Sequence, residues 1–245
     1  MKKFSSLLFV LLLMLASFTA GLEYPRGDVD QDGVVGIGDV TCLVDYLLNG
    51  TWDTPAGEHE CVDLGLPSGT LWATCNVGAE IPEESGYYFA WGETEPKSVY
   101  LWSTYEWCNG NNETMTKYCT VDNKTELDPE DDAAYVNWGP FWRMPTLDQL
   151  QELYDNCSWT WTNQNGWNGR LVTGPNGNSI FLPAAGCRWN ERILSQSFYG
   201  YYWSRTLATN DSTAYDLSID SKVVGCFGDR RRFGFSVRAV RVSED

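Results

Sequence analysis

The chain has 245 residues, with 33 acidic against 17 basic side chains, a formal net charge of −16 and an apolar fraction of 43%. That charge excludes nucleic acid and anionic lipid as partners, since both would be repelled. The apolar and aromatic content excludes a disordered chain and is enough for at least one real core.

The first element is a leader. Lys2 and Lys3, the apolar run Leu7–Leu15 and the small residues ending at Ala20-Gly21 read as a secretory signal over 1–21, cleaved after Gly21. The run is too short to span a bilayer, and no other stretch could. The protein is therefore expected to be secreted or held at the cell surface, with no membrane span. Without the two leader lysines, fifteen basic residues face thirty-three acidic ones, a net charge of −18.

The next element is a twelve-residue loop, Asp28–Asp39. Asp28, Asp30, Asp32 and Asp39 supply oxygens at its positions 1, 3, 5 and 12, and Gly33 sits at position 6 where such loops turn. The carbonyl of Val34 would complete the set. This is EF-hand spacing for Ca²⁺, a cation that takes six to eight oxygens. No entering helix is possible after Pro25. An exiting helix is expected, because Val40, Leu43, Val44 and Leu47 share one apolar stripe, and Asn49-Gly50 stops it. Residues 27–50 resemble one repeat of a dockerin, the calcium-dependent plug that mounts polysaccharide-degrading enzymes on cohesin-bearing scaffolds. The resemblance implies bound Ca²⁺ and a protein partner for the helix stripe. Dockerins carry two repeats and this chain has one: the acidic run Asp128–Asp132 lacks the glycine and contains Pro129. Ile37 and Gly38 stand where some cohesin binders carry Ser or Thr. The uncovered stripe calls for a cohesin-like or sister protein, or for the chain's own larger domain. The polar linker 51–60, which includes His59, favours the first.

Residues 61–245 form the larger domain. Two short strands are expected around the turn Leu66–Gly69, and another at Tyr87–Trp91. Glu93–Gly139 has little periodicity and reads as a surface excursion. A helix should start at Thr146, with Gln149 completing a capping box, and end near Asn156-Cys157. Leu147, Leu150, Leu153 and Tyr154 would form its buried face. A hairpin follows, Arg170–Thr173 with Ser179–Leu182, and then strands at Gly200–Thr206, Thr213–Asp220 and Phe233–Val242. In the last, Phe235, Val237 and Ala239 would face the core, and Ser236 and Arg238 the solvent. Arg230–Arg232 reads as a turn with its charge in water. The expected class is α+β: many short strands, long loops and one main helix.

The blocks Val62–Ala79, Phe89–Glu93, Trp142–Trp161, Gly174–Gly186, Tyr201–Thr206 and Gly234–Arg241 resemble, in order, the Fibrobacter succinogenes major paralogous domain of exported gut and rumen Bacteroidetes proteins. The helix start and the closing strand also resemble the C-type-lectin-like fold. The first resemblance implies export and carries no established reaction.

The larger domain has no histidine, which removes Ser–His and Cys–His nucleophiles and His-based metal sites. Its seven cysteines contain no CxxC pair, so zinc is not indicated; export permits disulfides, and Cys108 and Cys119 could close a loop. Glu93 and Glu95 beside Trp91 are the best carboxylates for glycosidase chemistry. Trp102, Trp107, Trp159, Trp161 and Trp167 lie in polar surroundings and are candidate stacking rings for a glycan. Trp72, Trp91, Trp142 and Trp203 lie in strand-like runs and should be core. The expected function is binding or adhesion in extracellular polysaccharide use, without catalysis. A hydrolytic component of a dockerin-mounted system and a structural surface protein stand as alternatives.

Overall fold

The computed structural model describes residues 59–241. The leader, the Asp28–Asp39 loop with its helix stripe, and residues 51–58 of the linker lie outside the described residues.

Strands dominate the described residues: twelve of them against two α-helices. The first hairpin pairs β1 (Cys61–Asp63) with β2 (Leu71–Ala73) in the register Val62↔Trp72. Its turn closes by Gly69 N–H on the Leu66 carbonyl at 2.9 Å. Beside β2 lies β12 (Val240–Arg241), and beyond it β3 (Trp142–Arg143), so one small sheet joins the two ends of the domain. Two antiparallel meanders follow in the chain. One is β4 (Ser158–Gln164), β5 (Trp167–Thr173) and β6 (Ser179–Pro183); the other is β9 (Gly200–Leu207), β10 (Thr213–Ile219) and β11 (Val224–Arg230). Between them stands the hairpin β7 (Cys187–Trp189) and β8 (Arg192–Leu194).

This corrects the expected α+β class. The domain is a set of small antiparallel sheets, and the calcium loop–helix is not among the described residues. The expectation gave too much weight to one well-capped helix. That helix, α2 (Leu147–Asn156), forms as expected, with Thr146 and Gln149 in a reciprocal capping box. It follows the six-residue α1 (Ala133–Trp138). Leu150 and Leu153 of α2 are buried, but Tyr154 is exposed, because it lies at the solvent edge of the stripe.

Three other expectations are overturned. Tyr87–Trp91 is not a strand; it makes one bridge, Phe89 to Phe235. Glu93–Gly139 is not a surface excursion. Tyr100, Tyr105, Tyr118, Leu127 and Trp138 are buried, and Asp132 caps α1 from within the core. Residues 233–241 do not alternate between core and solvent, since Ser236 and Arg238 are buried along with Phe235, Val237 and Ala239. The guanidinium of Arg238 explains why. It donates to Asn76 Oδ1 at 2.9 Å and to the carbonyls of Ala73, Thr74 and Phe181 at 3.2, 2.8 and 3.0 Å. Burial pulls its pKa down to about 10, so it remains charged at neutral pH.

Trp72, Trp91, Trp142 and Trp203 are core, as expected. His59 is no linker residue: its ring stacks on Trp138 at 3.7 Å and meets Trp142 edge-on at 6.0 Å. The seven cysteines of the domain are all free thiols, Cys108 and Cys119 included.

Candidate binding surface

The segment Ala184–Tyr201 carries four of the exposed large apolar side chains of the described residues. Trp189 is 48% exposed and Phe198 69%, and Ile193 and Tyr199 are exposed as well. Large apolar side chains grouped on one surface loop mark a contact region. The backbone beneath them is strained. Asn190, Ser195 and Ser197 have φ of 56°, 58° and 70°, in the left-handed region that non-glycine residues seldom occupy. Such conformations persist only where the surroundings hold them, and they gather at functional sites.

The surroundings do hold them. Gly186 N–H donates to Tyr199 O at 2.7 Å, and Ser197 N–H to Ala184 O at 2.8 Å, which closes the base of the loop. Gly186 has φ of 71°, and a Cβ there would lie 2.3 Å from the Leu194 carbonyl, so only glycine fits. Arg188 and Gly234 exchange backbone bonds at 2.7 and 3.0 Å, and Tyr100 and Asn190 at 3.0 and 3.2 Å. The Tyr88 hydroxyl donates to Ala185 O at 2.6 Å. Behind the loop the rings run in a near-parallel file. Tyr199 lies 6.2 Å from Tyr201, Tyr201 lies 4.9 Å from Phe235, and Phe235 lies 4.2 Å from Trp203. The exposed rings therefore sit on a fixed base, which lowers the ordering cost of binding.

The chemistry within reach is that of contact. Burial pushes the Cys187 thiol up to about 11, so it stays protonated and is a poor nucleophile. Burial likewise pushes the Tyr201 hydroxyl up to about 12. Among the described residues no cluster of three or more His, Cys, Asp or Glu is arranged to hold a metal ion.

The residues singled out in the sequence are dispersed. Trp102, Trp107, Trp159, Trp161 and Trp167 are all half-buried. Trp107 donates its indole N–H to Gly92 O at 2.6 Å, and Trp159 packs on the core beneath β4. Trp161 lies under the Arg170 guanidinium at 5.7 Å, and Trp167 opens β5. Trp102 lies near the loop through Tyr100, whose backbone pairs with Asn190, and Trp167 through Asn168, which bonds to Ser197 O at 3.2 Å and accepts the Ala184 N–H at 2.8 Å. Glu93 is buried in an ion pair with Lys97 at 2.6 Å and accepts the Glu106 amide at 2.9 Å, while Glu95 is exposed. They do not form a facing pair of free carboxylates. Arg231 and Arg232 are buried, against the expectation of a solvated turn. Asp28, Asp30, Asp32, Val34 and Asp39, and the stripe Val40, Leu43, Val44 and Leu47, lie outside the described residues.

Sequence reading missed the loop itself. Trp189, Ile193, Phe198 and Tyr199 have neither helical nor strand periodicity, so no pattern marked them. The only local signal was the density of large apolar residues among Ser, Gln, Asn and Arg. No family model matches the chain, nor does any curated protein or solved structure.

Proposed function

We propose that the chain is an exported, calcium-loaded binding protein of extracellular polysaccharide attachment or use, and that its larger domain takes a glycan on the Trp189–Tyr199 surface. One observation carries this reading: exposed rings stand on a strained loop that is tied down along its length. Aromatic faces stack on the apolar faces of sugar rings, and a pre-set loop suits a ligand that offers few strong contacts. In this reading Asp28, Asp30, Asp32, the Val34 carbonyl and Asp39 hold Ca²⁺, and the stripe of Val40, Leu43, Val44 and Leu47 docks a scaffold or sister protein, as the dockerin resemblance implies. Among the described residues no helix is long and apolar enough to cross a membrane.

The test is a glycan array probed with the mature chain, followed by Trp189→Ala and Tyr199→Ala on any glycan retained. Both side chains are exposed, so both variants should fold, and each should weaken retention at least about tenfold if the ring stacks. Retention of no glycan, or undiminished retention by both variants, would refute the reading.

A further inference from the structure

The same surface carries a charge feature that stacking does not use. Arg188, Arg192, Arg230 and Arg232 lie on or beside it and, like every described arginine but Arg205, make no ion pair with a described residue. Two buried arginines of this domain show what a structural role looks like. Arg238 makes the four bonds given above. Arg231 also makes four, to the Tyr105 hydroxyl at 2.8 Å and to the carbonyls of Tyr118, Asp211 and Lys117 at 3.0, 2.7 and 3.1 Å.

Arg232 is different. It is 5% exposed, yet its guanidinium makes one hydrogen bond, Nη1 to Tyr100 O at 3.3 Å, and its Nε is buried with no partner. Leaving that buried N–H unmet is costly, a condition it shares with Arg205 Nε. Its cation lies over the rings of Trp102 at 5.6 Å and Phe233 at 4.7 Å. Burial lowers its pKa, and neighbouring Arg230 lowers it further. The Tyr100 carbonyl that receives Arg232 also accepts the Asn190 N–H at the tip of the β7–β8 hairpin. The backbone bonds of Arg188 to Gly234 bring a second arginine two residues from Arg232, and Arg192 pairs across the hairpin with Trp189. The one carboxylate within the hairpin tip is the exposed Glu191.

We infer that this surface recognises an oxyanion carried on a sugar, a uronate carboxylate or a sulfate ester, with the Arg232 fork and the exposed Arg192 of the hairpin on the anion and the rings of Trp102 and Trp189 against the sugar. Arginine's planar fork matches both oxyanions in a way a lysine would not. A local cationic spot on a chain of net charge −16 also selects for anions that can reach the loop without crossing the acidic remainder. This inference rests on the glycan-binding reading above and narrows it.

The experiment is calorimetry and affinity electrophoresis of the mature chain with four polymers: polygalacturonate, its fully methyl-esterified form, dextran sulfate and neutral dextran. Polygalacturonate or dextran sulfate should bind, and whichever binds identifies the oxyanion. The esterified and neutral forms should bind at least about tenfold more weakly, and added salt should weaken the anionic complex. Arg232→Gln should lose roughly ten- to a hundredfold in affinity. Arg192→Gln, on an exposed side chain that cannot disturb the core, should lose several-fold and decides the matter if the Arg232 variant fails to fold. Equal binding of the acid and its ester, or unchanged binding by Arg192→Gln without salt dependence, overturns the anion inference and leaves the glycan reading standing. If neither these polymers nor any neutral glycan of the array is retained, both fall.

Discussion

Asp132 is the residue whose removal tests the core most directly. It is fully buried, and its carboxylate accepts the backbone N–H groups of Ala134 at 2.9 Å, Tyr135 at 3.1 Å and Met144 at 2.9 and 3.0 Å. One side chain thus caps α1 and ties it to the strand that leads into α2. Asp132→Ala leaves three amides without their acceptor. Loss of an N-cap costs about 0.5–2 kcal/mol, and an unmet buried amide at Met144 adds about 1–3 kcal/mol. The total, about 2–5 kcal/mol, has a pH dependence with a definite sign. Burial pushes the pKa of Asp132 from 3.8 up to about 6, against the lowering effect of the amides. A folded pKa raised above the unfolded one gives stability that is fully present below about pH 4 and lost as pH rises through about 6. The rise from 3.8 to about 6 corresponds to about 3 kcal/mol, of which about 1.4 kcal/mol is lost between pH 5 and pH 8. Asp132→Ala should therefore cost about 1.4 kcal/mol more at pH 5 than at pH 8. Urea unfolding of both proteins, followed by tryptophan fluorescence at the two pH values, measures this. A cost below about 1 kcal/mol at both, or a larger cost at pH 8, would refute the reasoning.

Other outcomes follow from the same geometry. His59 has its pKa lowered by burial against Trp138 and Trp142, so its contribution is present above about pH 6.5 and is lost as pH falls; thermal melts at pH 7.5 and 5.5 should differ less for His59→Ala than for the parent. Arg238→Lys keeps the charge but cannot reach four acceptors on three sides, so it should cost at least about 3 kcal/mol in urea unfolding, and a loss under 1 kcal/mol would show that the fork is not needed. For the calcium loop, titration calorimetry of the mature chain should show one Ca²⁺ site that Asp32→Ala abolishes; equal uptake by the variant would remove the assignment.

The parts of the fold legible in the sequence were those fixed by neighbouring residues. The capping box at Thr146 and Gln149, the β1–β2 turn and the β5–β6 hairpin with its register Thr173↔Ser179 each depend on a few adjacent side chains and backbone angles. The four core tryptophans were legible because they lie in strand-like apolar runs. Residues 93–139 were misread because their order comes from distant partners. Tyr105 donates to the Trp91 carbonyl at 2.7 Å and receives Arg231 from far along the chain, and neither contact leaves a periodic trace.

Arginine was misread for a related reason. A run of three at 230–232 looks like a solvated turn, because burying a cation needs partners that a local window cannot show. In the structure the three neighbours separate. Arg230 is exposed, Arg231 spends its donors on carbonyls brought from 117, 118 and 211, and Arg232 lies between two rings with most of its donors unspent. A buried cation that the fold has satisfied belongs to stability. One that the fold leaves short of acceptors, beside exposed rings, is the group that the proposed oxyanion would meet. The difference lies in the count of acceptors around each guanidinium, which depends on tertiary structure and not on the tripeptide.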